Sequence, residues 1–429
     1  MSTAAAHTGL QGMGVFSFAR APHWLSCSLL AALVIVPTYD FRPDAGEKFG
    51  LDTQLLVRLA VCGVCGLYGL CYWRSTASFL TLFPGAWMLL LIGWAAATLP
   101  LAVQPAYAAA ACGVLACAFF FVPAVLVQLG RRTVLRTLLA AITSYIGLAW
   151  TLYFLFPSIG RSPYLVDGVI EYRVGGDAQQ LGLQAVWLIC VALTLSSRKE
   201  LSRSATGGFV LFGLLTIAFA QSRTSLLAAL AVGVVWLCLR RGRRTAVAAA
   251  LTGGAVLAAG LFAYGAGLFE VRRAAVLTSV SRTGTEAEIF NITGRATFWP
   301  YVLECIAESP VTGYGYGSAR HALVDFDRAG IRAAELSHAH NMLLNTALTT
   351  GLVGAAIYAA MLLGLFDSVL RYRELFPVLV LVVILLFGLT ESPLFGPMPR
   401  AQTVIWLFAL FWRQSATGPD ALSPARTRA

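Results

Sequence analysis

The sequence predicts an all-α polytopic membrane protein with about twelve transmembrane helices, both termini cytoplasmic, and one long helical loop on the opposite face. Three observations predict it. Of 429 residues, 58% are hydrophobic and 12% charged, about half the charged fraction usual for a soluble domain. The apolar residues fall in runs of roughly 20, the length a helix needs to cross the hydrocarbon core. The arginines gather in short clusters between the runs, so the formal net charge of +11 reads as topology and not as a nucleic-acid surface.

The runs are residues 23 to 39, 51 to 72, 78 to 99, 105 to 128, 134 to 156, 179 to 197, 205 to 221, 224 to 240, 245 to 268, 341 to 367, 375 to 391 and 399 to 413. Backbone groups in lipid must pair within their own segment, so these are helices and not strands. The second run carries Arg58, and a tight polar turn separates the seventh from the eighth. The chain divides into a cytoplasmic segment 1–22 without an evident signal peptide, spans one to nine in 23–268, the long loop 269–340, spans ten to twelve in 341–413, and a tail 414–429 whose composition reads as disordered. No internal repeat stands out.

The arginines test this count. Arg74, then Arg131, Arg132 and Arg136, then Arg198, Lys199 and Arg203, then Arg240, Arg241, Arg243 and Arg244, then Arg371 and Arg373, then Arg413 with the tail all follow even-numbered spans. By the positive-inside rule that side is cytoplasmic, and the odd connections face out. The cysteines lie mostly inside or beside apolar runs and behave as small buried residues. Cys62 and Cys65 have CxxC spacing, but no second pair or nearby histidine completes a metal site. Cys305 falls in the polar stretch without an evident disulfide partner.

The stretch 269–340 is too long for a connector. Phe298, Val302, Cys305 and Ile306, with Trp299 and Leu303, have helical spacing, and residues 319 to 335 repeat the pattern more weakly. Both read as amphipathic helices on the bilayer surface. Between them, Pro310-Val311-Thr312-Gly313-Tyr314-Gly315-Tyr316-Gly317 is a glycine-spaced turn, either a plain reversal or a place of close backbone approach. No GK[ST] follows, which argues against a phosphate loop.

Two arginines on the outer face need explaining, because positive charge is expected to be depleted there. Arg223 lies in the minimal turn Gln221-Ser222-Arg223-Thr224-Ser225, and Arg295 follows Asn291-Ile292-Thr293-Gly294 at the start of a predicted helix. Each is either a snorkelling lipid contact or an anion ligand. Two guanidiniums can hold a diphosphate bidentately at any accessible pH. His338 and His340, in Ser337-His338-Ala339-His340-Asn341, are two of five histidines and stand where the loop re-enters a span. Imidazole is the side chain that moves a proton near neutral pH. The set suits displacement of pyrophosphate by an alcohol. On a continuing helix the two histidines would differ by about 200°, so one of them should face the reacting group while the other orients it or joins Asn341 in capping the helix.

These residues also carry a resemblance. Ser222-Arg223 in a tight turn, Gly294-Arg295 with Trp299 four residues on, Gly313-Tyr314-Gly315, and His340-Asn341-Met342-Leu343-Leu344 followed by Gly351-Leu352-Val353-Gly354 resemble the O-antigen ligase and polymerase superfamily of bacterial envelope glycosyltransferases. The matching block runs from about 205 to 365. The resemblance implies a glycosyltransferase C-like membrane fold in the bacterial inner membrane, with loop 269–340 in the periplasm. It implies transfer of a glycan from undecaprenyl pyrophosphate without cofactor or metal, Arg223 and Arg295 binding the donor pyrophosphate, and His338 or His340 activating the acceptor, with Ser222, Trp299, Tyr314 and Asn341 in support.

The letters of Asp325-Phe326-Asp327 match a DxD pair, but aspartates flanking a phenylalanine in an amphipathic helix read as surface charge. One direct displacement would invert the anomeric carbon. Among the activities the superfamily contains, chain length favours ligation to lipid A-core over O-antigen polymerisation or protein O-glycosylation. The expected partners are the lipid-linked donor, the lipid A-core acceptor and membrane lipids, with no nucleic acid. A lipid-linked-sugar transporter is disfavoured because the polar mass lies in one loop and the mid-span positions carry little charge.

Overall fold

A computed structural model of the chain describes residues 22–38, 53–81, 83–166, 169–174, 178–241, 295–323, 338–392, 394 and 400–416. Its elements are α1 (His23–Ile35), α2 (Thr53–Cys71), α3 (Trp73–Thr81), α4 (Gly85–Ala97), α5 (Pro105–Leu155), α6 (Pro157–Gly160), β1 (Arg161–Val166), β2 (Val169–Val174), α7 (Ala178–Ser197), α8 (Arg203–Ala220), α9 (Arg223–Arg241), α10 (Arg295–Glu308), α11 (Ala319–Ala322), α12 (Met342–Tyr372), α13 (Leu375–Thr390) and α14 (Ala401–Phe411). A helix occupies each apolar run except 245 to 268, which lies outside the described residues. Of these, α5, α7, α8, α9 and α12 are long and apolar enough to cross a membrane, while α1, α2, α4, α13 and α14 are apolar but shorter.

Glycine and proline cut the runs. Gly130, at φ 69 and ψ 162, divides α5 into two helices just before Arg131, as the separate fourth and fifth runs anticipate. The third run is cut differently from its expected bounds, because Pro84 ends the segment that α3 begins and α4 starts anew at Gly85. The two halves of α5 bury Phe119, Phe121 and Val122, then Leu135, Leu138 and Ile142. With α7 they form the centre, against which α1, α2, α8, α9 and α13 pack. Every residue of α14 is buried, as expected of a helix apolar on all sides.

The structure corrects the all-α reading at one place. Residues 161–166 and 169–174 pair as antiparallel strands, Arg161 opposite Val174 and Val166 opposite Val169. Asp167-Gly168 between two runs rich in β-branched and aromatic residues is a strong hairpin signal, and outside lipid nothing forbids strands. The loop helices are corrected too. The predicted stripe Phe298, Val302, Cys305 and Ile306 is buried, but it packs with Ala339, Ala347 and Leu348 and not on a bilayer. Of the second predicted helix only α11 lies within the described residues up to 323.

The contacts separate two ends of the bundle. At one, Arg131 pairs with Glu374 at 3.1 Å, donates to Ser415 and to the Trp412 carbonyl, and lies with Arg198 over the Trp412 ring. Arg132 and Arg136 reach Glu200 there. Arg131, Arg132, Arg198, Glu200, Glu374 and Ser415 follow even-numbered runs, and Arg136 and Trp412 lie within a few residues of such a boundary. At the other end Gly182 touches Ser222 and Ser225 so closely that a Cβ would meet the Ser225 hydroxyl at 2.5 Å. Gln184 donates to Gln402, Thr403 to the Leu394 carbonyl, and Ser392 to the Asn341 carbonyl. Because α7, α13 and α14 each run between the two sets of contacts, the turn before Arg223 and the segment at His340 share one end.

The glycine-spaced turn makes the close approach that its sequence allows. Gly351, at φ 69, breaks α12, and a break strands carbonyls and N–H groups that lipid cannot satisfy. The turn supplies partners. Tyr314 N–H donates to Leu348 O at 2.9 Å, Gly315 N–H to Thr349 O at 3.0 Å, and Leu352 N–H to Pro310 O at 2.7 Å, while the Trp94 indole donates to Thr350 O at 2.8 Å. A Cβ on Gly351 would lie 1.9 Å from Val311 O, and one on Gly313 would lie 2.6 Å from Gly351 N. We expect Gly351→Ala to cost at least about 1–3 kcal/mol through its backbone conformation alone. Thermal unfolding of the purified protein should drop accordingly, whereas Gly147→Ala, where a Cβ meets open space, should leave it unchanged.

Candidate active site: two imidazoles on one carboxylate

The segment His338-Ala339-His340 is not part of the helix it precedes. Asn341 has extended backbone and its side-chain oxygen accepts from Leu344 N–H at 3.1 Å, which makes it the N-cap of α12. Residues before an N-cap are free of helical geometry, and His340 takes φ 48, a left-handed conformation in which histidine is enriched several-fold among non-glycine residues. The expectation that the two imidazoles diverge by helical rotation is therefore overturned. Both turn to one side, with ring centroids 4.2 Å apart.

What they meet is Glu391, at the end of α13. Its Oε2 lies 3.1 Å from His338 Nε2 and 3.2 Å from His340 Nδ1. A carboxylate only accepts, so the facing nitrogen of each ring carries the hydrogen, and in a neutral ring the other nitrogen holds the lone pair. Glu391 is 7% exposed. Burial by itself would raise its carboxyl, but hydrogen bonds from His338 and His340 and the charge of these groups hold it well below the usual carboxylate range. Burial drives His338 below the usual imidazole value, and His340 and Arg400 add to this against the opposing pull of Glu391. Side-chain exposures of 28% for His338 and 21% for His340 leave both rings reachable from outside.

The backbone of this segment is held from three directions. Trp299 of α10 donates its indole N–H to Ala339 O at 3.1 Å, Asn345 of α12 accepts from Ala339 N–H at 3.2 Å, and Ser392 donates to Asn341 O at 3.2 Å. The expected supporting residues thus divide. Trp299 and Asn341 hold the histidine segment directly. Tyr314 serves the break in α12 and donates its phenol to Glu308 at 2.8 Å, and burial together with Glu308 raises that phenol. Ser222 bonds Ser225 at 2.7 Å where α9 meets α7.

Arg223 is the first residue of α9 and is exposed. α9 packs against α13, the helix that ends in Glu391. Arg295 is the first residue of α10, as predicted, and its side chain lies outside the described residues. Sequence reasoning missed Glu391 and Arg400. The signal was present, because Glu391 follows sixteen uncharged residues of α13 and a charge at a span boundary is a functional hypothesis by default. His338, His340 and Glu391 each offer one ligand atom within 4.8 Å of the others and could also hold a metal ion.

A helical membrane protein with a histidine–carboxylate site at one end of its bundle is the class this geometry defines. Residues 208–359 match the family model described as O-Antigen ligase. The family so matched is one of glycosyltransferase-like enzymes in O-antigen synthesis. A search of curated proteins found no match. The matched segment holds Arg223, Arg295, His338 and His340, whereas Glu391 and Arg400 lie beyond it.

Trp299→Phe keeps the ring but removes the donor to Ala339. It should lower stability by about 1 kcal/mol and lower transfer activity by more than that loss of folded protein explains. Thermal unfolding and a transfer assay on the same preparation separate the two effects.

Proposed function

We propose that the chain is an O-antigen ligase, transferring a glycan from undecaprenyl pyrophosphate to a sugar hydroxyl of lipid A-core at the periplasmic face of the bacterial inner membrane. The observation that carries this reading is the sharing of Glu391 Oε2 between His338 and His340 in a chain whose residues 208–359 match this family. His340 is assigned as the base. Its Nδ1–H is committed to Glu391, which leaves the Nε2 lone pair to take the acceptor proton. The acceptor oxygen then forms a bond to the anomeric carbon as the carbon–oxygen bond to pyrophosphate breaks, with inversion. Arg223 and Arg295 hold the departing diphosphate and stabilise the charge that develops on it. Glu391 fixes the His340 tautomer and stabilises the imidazolium once the proton has arrived. The periplasmic assignment follows from the positive-inside rule, because the Arg131, Arg198 and Glu374 cluster occupies the opposite end.

Deleting the gene in its host and examining the lipopolysaccharide tests this reading. Loss of all polymer from lipid A-core, with polymer retained on undecaprenyl pyrophosphate, is the expected result. A core capped by one repeat would make the chain a polymerase, and unchanged lipopolysaccharide would end both readings. With purified components, His340→Ala should slow transfer by about 10²–10⁴-fold while donor binding persists, and His338→Ala should cost less. Arg223→Lys and Arg295→Lys should weaken donor binding, since the bidentate fork is lost.

The pH profile has a definite sign. His338 protonates below its ordinary value of 6.5, and its protonation sets a cation beside His340, where a second proton must be taken up during transfer. The share of the rate lost to His338 protonation should therefore appear on acidification below the ordinary imidazole value. Arg400→Gln removes a charge that opposes His338 protonation, so the acid limb should move to higher pH in a rate profile of that variant.

A further inference from the structure

We infer that His338, His340 and Glu391 form a binding site for a divalent transition metal, with Zn²⁺ as the best-suited ion, and that its occupancy inhibits transfer. The inhibitory half rests on the proposed role of His340; the binding half does not. Two imidazole nitrogens and one carboxylate oxygen, with a fourth position open to water, are a donor set that zinc takes. With zinc–ligand bonds of about 2.0–2.1 Å, neighbouring donors in a tetrahedral shell stand about 3.3 Å apart. Here the two carboxylate-to-nitrogen separations are 3.1 and 3.2 Å, and each of the three residues offers one ligand atom within 4.8 Å of the others. Little movement is needed to admit an ion. The donors are also preset, since Trp299, Asn345 and Ser392 fix the backbone that carries the histidines, and such outer contacts set metal affinity.

Ligation balances without net proton release. Each neutral ring now presents N–H to Glu391 and must present a lone pair to the metal, so its proton moves to the opposite ring nitrogen. For His340 this places the proton on Nε2, the atom assigned to receive the acceptor proton. The bound metal would thus block the base by tautomer as well as by position.

The test uses the full-length protein in detergent with Co²⁺ as a visible probe. Saturable one-to-one binding with d–d absorption, displaced by Zn²⁺, is expected, and Glu391→Gln and His340→Ala should each weaken it by about 100-fold or more with circular dichroism unchanged. Absence of saturable binding would overturn the site. So would equal affinity in both variants, or sulfur-to-cobalt charge-transfer bands, which would assign the ion to the free cysteines. In the transfer assay Zn²⁺ should inhibit and a chelator should restore the rate. Variant-sensitive binding without inhibition would keep the site, remove its inhibitory role and count against His340 as base, whereas failure to bind leaves the base assignment intact.

Discussion

A helix broken in a membrane must have its orphaned backbone groups met by other protein, and that constraint organises the functional half of this chain. The break at Gly351 leaves the carbonyls of Leu348, Thr349 and Thr350 and the N–H of Leu352 to be satisfied, and residues 310–315 with Trp94 satisfy them. The loop is thereby tied to α12. Because the histidines directly precede α12, and α10 leans on their segment through Trp299, residues 310–315, α10 and the site are all joined through α12. Glycine at 313 and 351 is a geometric necessity, since any side chain would occupy the space where the two backbones meet.

The second constraint is electrostatic. A carboxylate buried without partners is costly and would neutralise itself by taking a proton. Glu391 keeps its charge because two imidazoles donate to one of its oxygens. The dependence is mutual, since the carboxylate fixes which nitrogen of each ring carries hydrogen and so which one presents a lone pair. A single imidazole would leave Glu391 less well compensated, which gives a physical reason for two histidines so close together.

Much of this was legible in the sequence. Apolar runs located the helices because lipid demands long uninterrupted segments, and arginine clusters located one end because charge is sorted across a membrane. The Phe298–Ile306 stripe identified α10, but periodicity says only that a face is buried and not against what, so a bilayer stood in for Ala339, Ala347 and Leu348. The histidines were found by residue type. Their mutual geometry was not, because a continuing helix through both was assumed and a left-handed His340 cannot be read from composition. Glu391 was hidden by its neighbours. It ends a run so apolar that it was counted as the last residue of a span, and its partners lie about fifty positions earlier in the chain.

The burial of α14 bears on the order of assembly. Glu391 sits at the end of α13, and Leu394 beyond it is held by α14, where Thr403 donates to its carbonyl and Gln402 meets Gln184. A helix surrounded on all sides is enclosed by elements made before it. During synthesis the arginines and histidines emerge first, then the carboxylate, and the helix that locks the carboxylate's neighbourhood comes after them all. The site is therefore completed late, and a nascent chain inserted as far as α12 holds its imidazoles without the group that organises them.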